Sequence, residues 1–244
     1  LTPEWLGKFF SSRYYYKYIS ANPYCNGKGV SHQDQMPGYE EDWNAFNKFT
    51  EIVDSWERDW DEEENTVRPE DITDTALEED NGGKMIVHYI QPHRPYISCP
   101  IKSKPWDDHE KVGSLAEGEE YKKETTLKRD LVESTRPYWN KFFWKLHYRT
   151  RWRIKNLLGL ENPHWGALVQ EVGEEGVREY YQRDLKMVLK QVARLIEKLD
   201  GNVVVTADHG EALGEHNDWG HQEDSDNPKQ YAIPWLQVEG VVND

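Results

Sequence analysis

The hydrophobic and polar positions divide this chain into short apolar runs and one long amphipathic stretch. Runs of aromatic and β-branched residues are typical of strands. The strand candidates are residues 14–20, 49–53, 84–91, 202–207 and 234–238. Between residues 177 and 199, apolar side chains recur at spacings of three and four. This period predicts a long helix with one apolar face.

Two shorter helices are predicted from their start signals. Thr2-Pro3-Glu4 is typical of a helix start, with Thr2 as the N-cap, and a proline also opens the predicted helix at 69–79. Residues 54–65, DSWERDWDEEEN, are predicted to be an acidic, solvated segment. The basic and aromatic stretch at 138–160 is predicted to be helical.

Strands that alternate with helices favour an α/β fold, with a mixed or mainly parallel sheet flanked by helices. We expect residues 1–244 to form a single domain of this class. The looser pattern over 102–165 predicts a helical insertion or lid within it. In such folds, ligands bind outside the carboxyl ends of the strands.

Composition and charge exclude some classes of protein. The net charge of −15 argues against a general nucleic-acid binder. At 13% aromatic residues, the chain is too aromatic for a disordered protein. No run approaches the ~18 apolar residues that a transmembrane helix needs. Two cysteines at this spacing fit neither a disulfide framework nor a zinc finger, and favour a cytoplasmic setting. The opening LTPEWLGKFF lacks a Met and a secretory-signal layout, so we expect it to lie within a longer protein.

Metal-capable side chains follow the strand candidate at 202–207, in the stretch VVVTADHGEALGEHNDWGH. Asp208 and His209 are adjacent, and Gly210 lets the backbone turn sharply behind them. A carboxylate and an imidazole on such a turn can bind one cation together. The alternative is a plain Asp-His-Gly turn. The further acidic residues and the second histidine of the stretch argue against it.

Three later residues of the same stretch extend the predicted site. Glu211 and Glu215 are candidates to orient the metal ligands, and Gly220-His221 brings back another imidazole. The whole motif, behind a strand and a long helix, resembles the carboxy-terminal metal-binding segment of the alkaline phosphatase and sulfatase superfamily. The resemblance implies that Asp208 and His209 bind the catalytic metal. It also implies that His221 lies near the phosphate or sulfate, or binds a second metal.

A second segment, IVHYIQPHRPYI at 86–97, resembles the strand and PHxPY turn of sulfatase-like proteins. In that family the histidine of the turn faces the oxyanion, which implies that role for His93. Arg94 is a further candidate for stabilising charge on the transferred group. His88 lies within the predicted strand and is therefore the weaker match of the two histidines.

The resemblance also implies a nucleophile near the start of the chain. The family opens with a strand that ends in a metal-binding Asp, followed by Ser, Thr or formylglycine at a helix start. We find no such opening strand, so the chain is expected to be incomplete at its N-terminus, and Thr2 is the candidate nucleophile. The alternative is that Thr2 only caps its helix. Cys25 and Cys99 lack the Cys-x-Pro-x-Arg setting that formylglycine formation uses.

The resemblance implies a metal-dependent hydrolase or transferase that acts on phosphate or sulfate esters by in-line displacement. Phosphate is preferred because the formylglycine setting is missing. Histidine and carboxylate ligands favour zinc or manganese and leave calcium or magnesium open. The expected substrate is a small molecule, or a glycan or lipid headgroup, carrying the ester.

Two other functions stay open. The first is a non-catalytic sulfatase-like domain that binds an anionic ligand or a partner protein. The second is peripheral membrane contact through the basic aromatic stretch at 138–160, whose tryptophans and lysines suit a lipid interface. The alternative for this stretch is a basic helix that packs on the acidic protein or around a pocket.

Overall fold

The computed structural model describes residues 2–36, 42–101, 108–118, 150, 164–215, 219–221 and 227–241. The chain divides into two compact units, each of which is described by itself below. The first comprises Leu1–Tyr121, Tyr180–Gly210 and Tyr231–Asp244, and the second comprises Lys122–Glu179 and Glu211–Gln230.

The elements follow one another along the chain as strands and mostly short helices. Up to the predicted insertion they are α1 (Thr2–Phe9), β1 (Tyr14–Ser20), α2 (His32–Gln35), β2 (Phe49–Asp54), α3 (Ser55–Arg58), β3 (Trp60–Asp61), β4 (Thr66–Val67), α4 (Pro69–Glu78), β5 (Met85–His88) and α5 (Asp108–Ala116). The later elements are α6 (His164–Ile196), β6 (Gly201–Thr206), β7 (Ala212–Leu213), β8 (Trp219–Gly220) and β9 (Trp235–Val241). Short 3₁₀ turns cover Ala45–Asn47 and Pro228–Gln230.

The first unit is built on a parallel sheet in the order β2-β1-β5. Ser20, the last residue of β1, pairs with Asp54 of β2 and with His88 of β5. Because the three strands are parallel and in this register, their carboxyl ends coincide at one edge of the sheet. This parallel sheet with flanking helices confirms the α/β class that the strand and helix patterns predict.

Helices cover both faces of this sheet. Successive strand residues point to opposite faces, so Tyr18 and Ile19 of β1 face opposite ways. Tyr18 packs in one apolar cluster with Leu6 of α1. Ile19 packs in the other with Ile72 of α4 and Leu195 of α6. All five side chains are at most 6% exposed, and burial of an apolar side chain of this size contributes about 1.5–3 kcal/mol.

The prediction of a solvated segment at 54–65 is wrong in its first half. The helix α3 begins at Ser55, and both Ser55 and Trp56 are buried. The carboxylate of Asp54 accepts hydrogen bonds from the Trp56 indole at 2.9 Å and from the Gly27 amide at 3.0 Å. A large aromatic ring in an acidic run therefore joins the core, since its one polar atom finds a carboxylate partner.

The strands at 202–207 and 234–238 are confirmed as β6 and β9, which form an antiparallel pair of their own. Val203 pairs with Val238, and Val205 with Leu236. The long helix is also confirmed, although α6 begins earlier than predicted. The backbone at Gly173 has φ 75° and ψ 167°, which is not helical and marks a kink. Only glycine adopts this conformation readily.

The described part of the second unit contains the short antiparallel pair β7–β8 and the first turns of α6. The Arg178 guanidinium donates to the Leu213 carbonyl at 2.9 Å and lies 5.6 Å from the centre of the Trp219 ring. A guanidinium at this distance from an aromatic face is attracted by the ring electrons. Arg178 therefore ties α6 to the β7–β8 pair.

Several predictions concern segments that the structure describes only in part. The predicted insertion at 102–165 contains the described helix α5, and most of its remaining residues lie outside the described ranges. The basic aromatic stretch at 138–160 also lies outside them, apart from Thr150. The single domain over 1–244 and the insertion stay predictions. None of the described helices is both long and apolar enough to cross a membrane.

Candidate active site

Asp208 stands two residues beyond the end of β6, in the first unit. Its Oδ2 atom accepts a hydrogen bond of 2.6 Å from the Thr2 hydroxyl, although the two residues are 206 positions apart in the chain. Its Oδ1 atom accepts one of 3.0 Å from the backbone amide of His209. The fold therefore brings the start of α1 to the turn after β6, and joins two residues that the sequence analysis assigns to the site.

The Thr2 contact bears on the two predicted roles of this residue, nucleophile and helix cap. Helix α1 begins at Thr2 itself, and the Thr2 hydroxyl points to Asp208. An N-cap side chain would instead accept a hydrogen bond from a backbone amide of the first turn. Thr2 is nearly buried, at 8% exposure. Thr2 therefore contacts a candidate metal ligand from the far end of the chain, and its role as the nucleophile stays a prediction.

The Asp208 carboxylate is held in its charged form. Burial raises the pKa of Asp208, but the imidazoles of His88 and His209 and the Thr2 hydrogen bond lower it by more, so the net pKa falls below its usual value. A carboxylate that keeps its charge while buried is a ligand ready for a cation, since no proton has to leave first.

His209 presents one particular ring nitrogen to this carboxylate. Its Nδ1 atom lies 3.0 Å from the Gly210 carbonyl oxygen, which can only accept, so Nδ1 carries the hydrogen. In the neutral ring, Nε2 then holds a lone pair, and this atom lies 3.5 Å from Asp208 Oδ2. Metal-binding histidines usually donate their other ring N–H to a carbonyl or carboxylate in this way. The residues therefore fit a divalent ion that binds both side chains.

His88 also faces Asp208, which the sequence analysis did not predict. Its Nδ1 atom hydrogen-bonds the Tyr18 hydroxyl at 2.8 Å, and its Nε2 atom lies 4.0 Å from Asp208 Oδ2. Burial lowers the pKa of His88. The strand prediction ran to residue 91, whereas β5 ends at His88. The shorter strand puts this imidazole at the carboxyl edge of the sheet, where ligands of α/β folds bind.

His93 and Arg94 lie in the turn after β5, also in the first unit. The His93 amide donates to the Ile90 carbonyl at 3.0 Å, and the ring Nδ1 donates to the Arg94 carbonyl at 2.5 Å. The peptide bonds before Pro92 and Pro95 are both cis. The turn therefore fixes the His93 ring through its Nδ1 atom.

A buried carboxylate holds the second half of this turn. Asp184 of α6 is fully buried, and its two oxygens accept the Ile97 amide at 2.7 Å and the Ser98 amide at 3.0 Å. Asp184 was not predicted from the sequence to be a functional residue. Its burial could have been predicted from its position in the apolar stripe of the long helix, four residues before Val188.

The second unit holds the remaining predicted residues. His221 Nδ1 lies 3.3 Å from Glu211 Oε1, and the Glu211 side chain is only 7% exposed. An imidazole and a carboxylate this close are ligand types that a divalent ion accepts. Glu215 acts locally, since its Oε2 atom accepts the Leu213 amide at 2.6 Å. The roles of these three residues in orienting ligands or binding the substrate stay predictions.

A comparison with protein-family models matches the family described as Sulfatase over residues 3–237, nearly the whole chain. The chain belongs to the Sulfatase family. Searches of curated proteins and of solved structures return no significant match.

Membership of the Sulfatase family confirms the predicted resemblance to the alkaline phosphatase and sulfatase superfamily. It supports a hydrolase-like function of that superfamily acting on small-molecule esters. Members usually bind divalent metal ions, and the Sulfatase fold of this chain brings carboxylate and imidazole side chains together.

Proposed function

We propose that this chain is a metal-dependent hydrolase or transferase that acts on phosphate esters, or on sulfate esters, by in-line displacement. The observation that carries the proposal is the convergence on one atom, Asp208 Oδ2. The Thr2 hydroxyl donates to this oxygen at 2.6 Å, and the lone-pair nitrogen of His209 faces it at 3.5 Å. This places a candidate nucleophile within a few ångströms of two candidate metal ligands.

Asp208 and His209 would hold the ion. Their carboxylate and imidazole are ligands that suit zinc or manganese, and calcium or magnesium fit less well because they prefer oxygen ligands alone. A bound divalent ion supplies Lewis acidity, which lowers the pKa of a nearby hydroxyl and neutralises charge on the transferred group.

In the proposed reaction, Thr2 Oγ1 forms a bond to the phosphorus atom while the bond to the ester oxygen breaks on the opposite side. The Thr2 proton passes along its 2.6 Å hydrogen bond to Asp208 Oδ2, and the departing ester oxygen takes a proton from water. Thr2 also stands at the first turn of α1, where the helix dipole favours a developing oxyanion. The phosphoryl group on Thr2 then passes to water or to an acceptor alcohol.

His93 and Arg94 are proposed to stabilise the charge that grows on the transferred group. The hydrogen bond from the His93 Nδ1 atom to the Arg94 carbonyl holds the ring in one orientation. Fixed groups of this kind stabilise a transition state without having to reorganise.

Phosphate is proposed ahead of sulfate because of the state of the two cysteines. Sulfatase chemistry by formylglycine requires oxidation of a cysteine in a particular sequence setting, which neither Cys25 nor Cys99 has. Both thiols are buried, and burial raises the pKa of Cys25 well above its usual value. A buried, protonated thiol is chemically inert.

The test compares wild type with Thr2→Ala and Thr2→Ser on p-nitrophenyl phosphate and p-nitrophenyl sulfate, in the presence of Zn²⁺ or Mn²⁺. We expect phosphate turnover that Thr2→Ala abolishes and Thr2→Ser partly restores. Acid-quenched wild type should carry a phosphoryl group on Thr2 by peptide mass spectrometry. Thr50→Ala is the control, because Thr50 is an exposed strand residue whose hydroxyl bonds the Tyr14 carbonyl.

If Thr2→Ala keeps the full wild-type turnover, Thr2 is not the nucleophile. If wild type turns over neither ester with either ion but binds inorganic phosphate, the catalytic proposal fails. The non-catalytic, anion-binding function then replaces it.

A further inference from the structure

His88 is fixed at the end of β5 by two aromatic neighbours. The Tyr18 hydroxyl bonds its Nδ1 atom at 2.8 Å, and the Trp5 ring meets the imidazole edge-on with centroids 6.3 Å apart. Tyr18 is fully buried, at 0% exposure. The direction of Nε2 is therefore set by packing and by a hydrogen bond at the opposite side of the ring.

The distance from His88 Nε2 to the Asp208 carboxylate fits a shared metal ion better than a direct hydrogen bond. At 4.0 Å, His88 Nε2 is too far from Asp208 Oδ2 for a direct hydrogen bond, which needs roughly 2.7–3.2 Å. Two atoms that each bind one zinc ion at about 2.1 Å can be at most about 4.2 Å apart. The 4.0 Å separation and the 3.5 Å separation from His209 both lie within that limit.

We propose that His88 Nε2 is a third protein ligand of the divalent ion held by Asp208 and His209, and that Tyr18 orients the ring for it. The inference rests on the proposed function, since it assumes that an ion binds there. Two imidazoles and one carboxylate, with a further position open, is a ligand set typical of catalytic rather than structural zinc sites.

The proposal requires a definite arrangement of hydrogens. If Nε2 binds the ion, Nδ1 must carry the hydrogen and donate to the Tyr18 oxygen. This repeats at His88 the arrangement that His209 has with the Gly210 carbonyl. Loss of such an outer partner typically costs about 10–100-fold in metal affinity, and loss of a ligand costs more.

The experiment measures the affinity for Zn²⁺ by competition with a chromophoric chelator, and counts bound imidazoles by pulsed EPR with substoichiometric Cu²⁺. The variants are His88→Gln, Tyr18→Phe and His209→Gln. His32→Gln is the matched control, because His32 is a buried histidine of the same unit, stacked on Trp43 and not in the predicted site. Circular dichroism verifies that each variant is folded.

We expect His88→Gln to weaken Zn²⁺ binding by more than about 100-fold and to remove one imidazole from the count, as His209→Gln does. Tyr18→Phe should weaken binding by about 10-fold and leave the count unchanged. His32→Gln should change neither quantity.

Two results would overturn the inference, and only the second would also overturn the proposed function. If wild type binds the ion and His88→Gln keeps both its affinity and its imidazole count, His88 is no ligand but the metal-dependent function stands. If folded wild type binds neither Zn²⁺ nor Cu²⁺, the proposed function fails together with the inference.

Discussion

Replacing Asp184 tests whether one buried carboxylate holds the turn that carries His93. Asp184 is fully buried and accepts two backbone amides, from Ile97 at 2.7 Å and from Ser98 at 3.0 Å. Asp184→Asn keeps the shape of the side chain but removes the charge, and its amide nitrogen cannot accept a hydrogen bond. One of the two backbone amides is therefore left without its acceptor.

The expected cost follows from these two bonds. A hydrogen bond to a charged group contributes about 1.5–3 kcal/mol, and a buried donor left unsatisfied costs about 1–3 kcal/mol. We expect Asp184→Asn to lower the free energy of unfolding by about 2–3 kcal/mol, or roughly 30–150-fold in the folding equilibrium. Asp184→Ala removes both acceptors and should cost about 3–5 kcal/mol.

Equilibrium unfolding in urea, followed by circular dichroism, measures this loss. Hydrogen exchange should also accelerate at the amides of Ile97 and Ser98 more than at the amides of the β2-β1-β5 sheet. Glu197→Gln is the matched control, since it makes the same chemical change at an exposed position just beyond the same helix. The reasoning is refuted if Asp184→Asn and Glu197→Gln differ by less than about 0.5 kcal/mol.

Three further experiments test other parts of the structure. Burial lowers the pKa of His32 from 6.5 to about 4. This group therefore contributes up to about 3 kcal/mol of stability above pH 6.5 that is lost as the pH falls toward 4. His32→Gln should flatten that part of the curve of unfolding free energy against pH. A Cβ at Gly220, where φ is 81°, would lie 2.9 Å from Trp165 Cε2, so Gly220→Ala should cost about 2–4 kcal/mol in urea unfolding. The buried Cys25 thiol, whose pKa is raised, should resist iodoacetamide at pH 8 in the folded chain and react in urea.

Each of these has a control or a contrary result. An unchanged pH dependence in His32→Gln would show that the proton uptake belongs to other groups. Gly118→Ala isolates the backbone cost, because Gly118 has φ 79° and open space around it. Equal losses at Gly118 and Gly220 would rule out the Trp165 clash. Rapid labelling of Cys25 in the folded chain would contradict its burial.

Local pattern was sufficient for several elements of the fold. The run YYYKYIS predicts β1 at the bounds the structure has, because aromatic and β-branched residues suit a pleated, half-buried surface. The proline at position 69 predicts the start of α4 for a similarly local reason. The family motif placed Asp208 and His209 beside each other directly after a strand, as the structure does.

Other features depend on contacts between distant residues and could not be predicted in this way. The pairing of β6 with β9 joins strands separated by almost thirty residues. Trp56 looked solvated because its neighbours are acidic, and only its fold partners bury it. The position of His88 at the sheet edge was not predicted, because its strand ends three residues earlier than the apolar run does. The contact of Thr2 with Asp208 spans almost the whole chain.

The most direct test of the proposed metal site is the metal content of the purified chain, by elemental mass spectrometry, beside that of Asp208→Asn and His209→Ala. The proposal predicts that wild type carries zinc or manganese in stoichiometric amount and that both variants lose it while remaining folded. A wild-type chain that stays metal-free after incubation with both ions would contradict it.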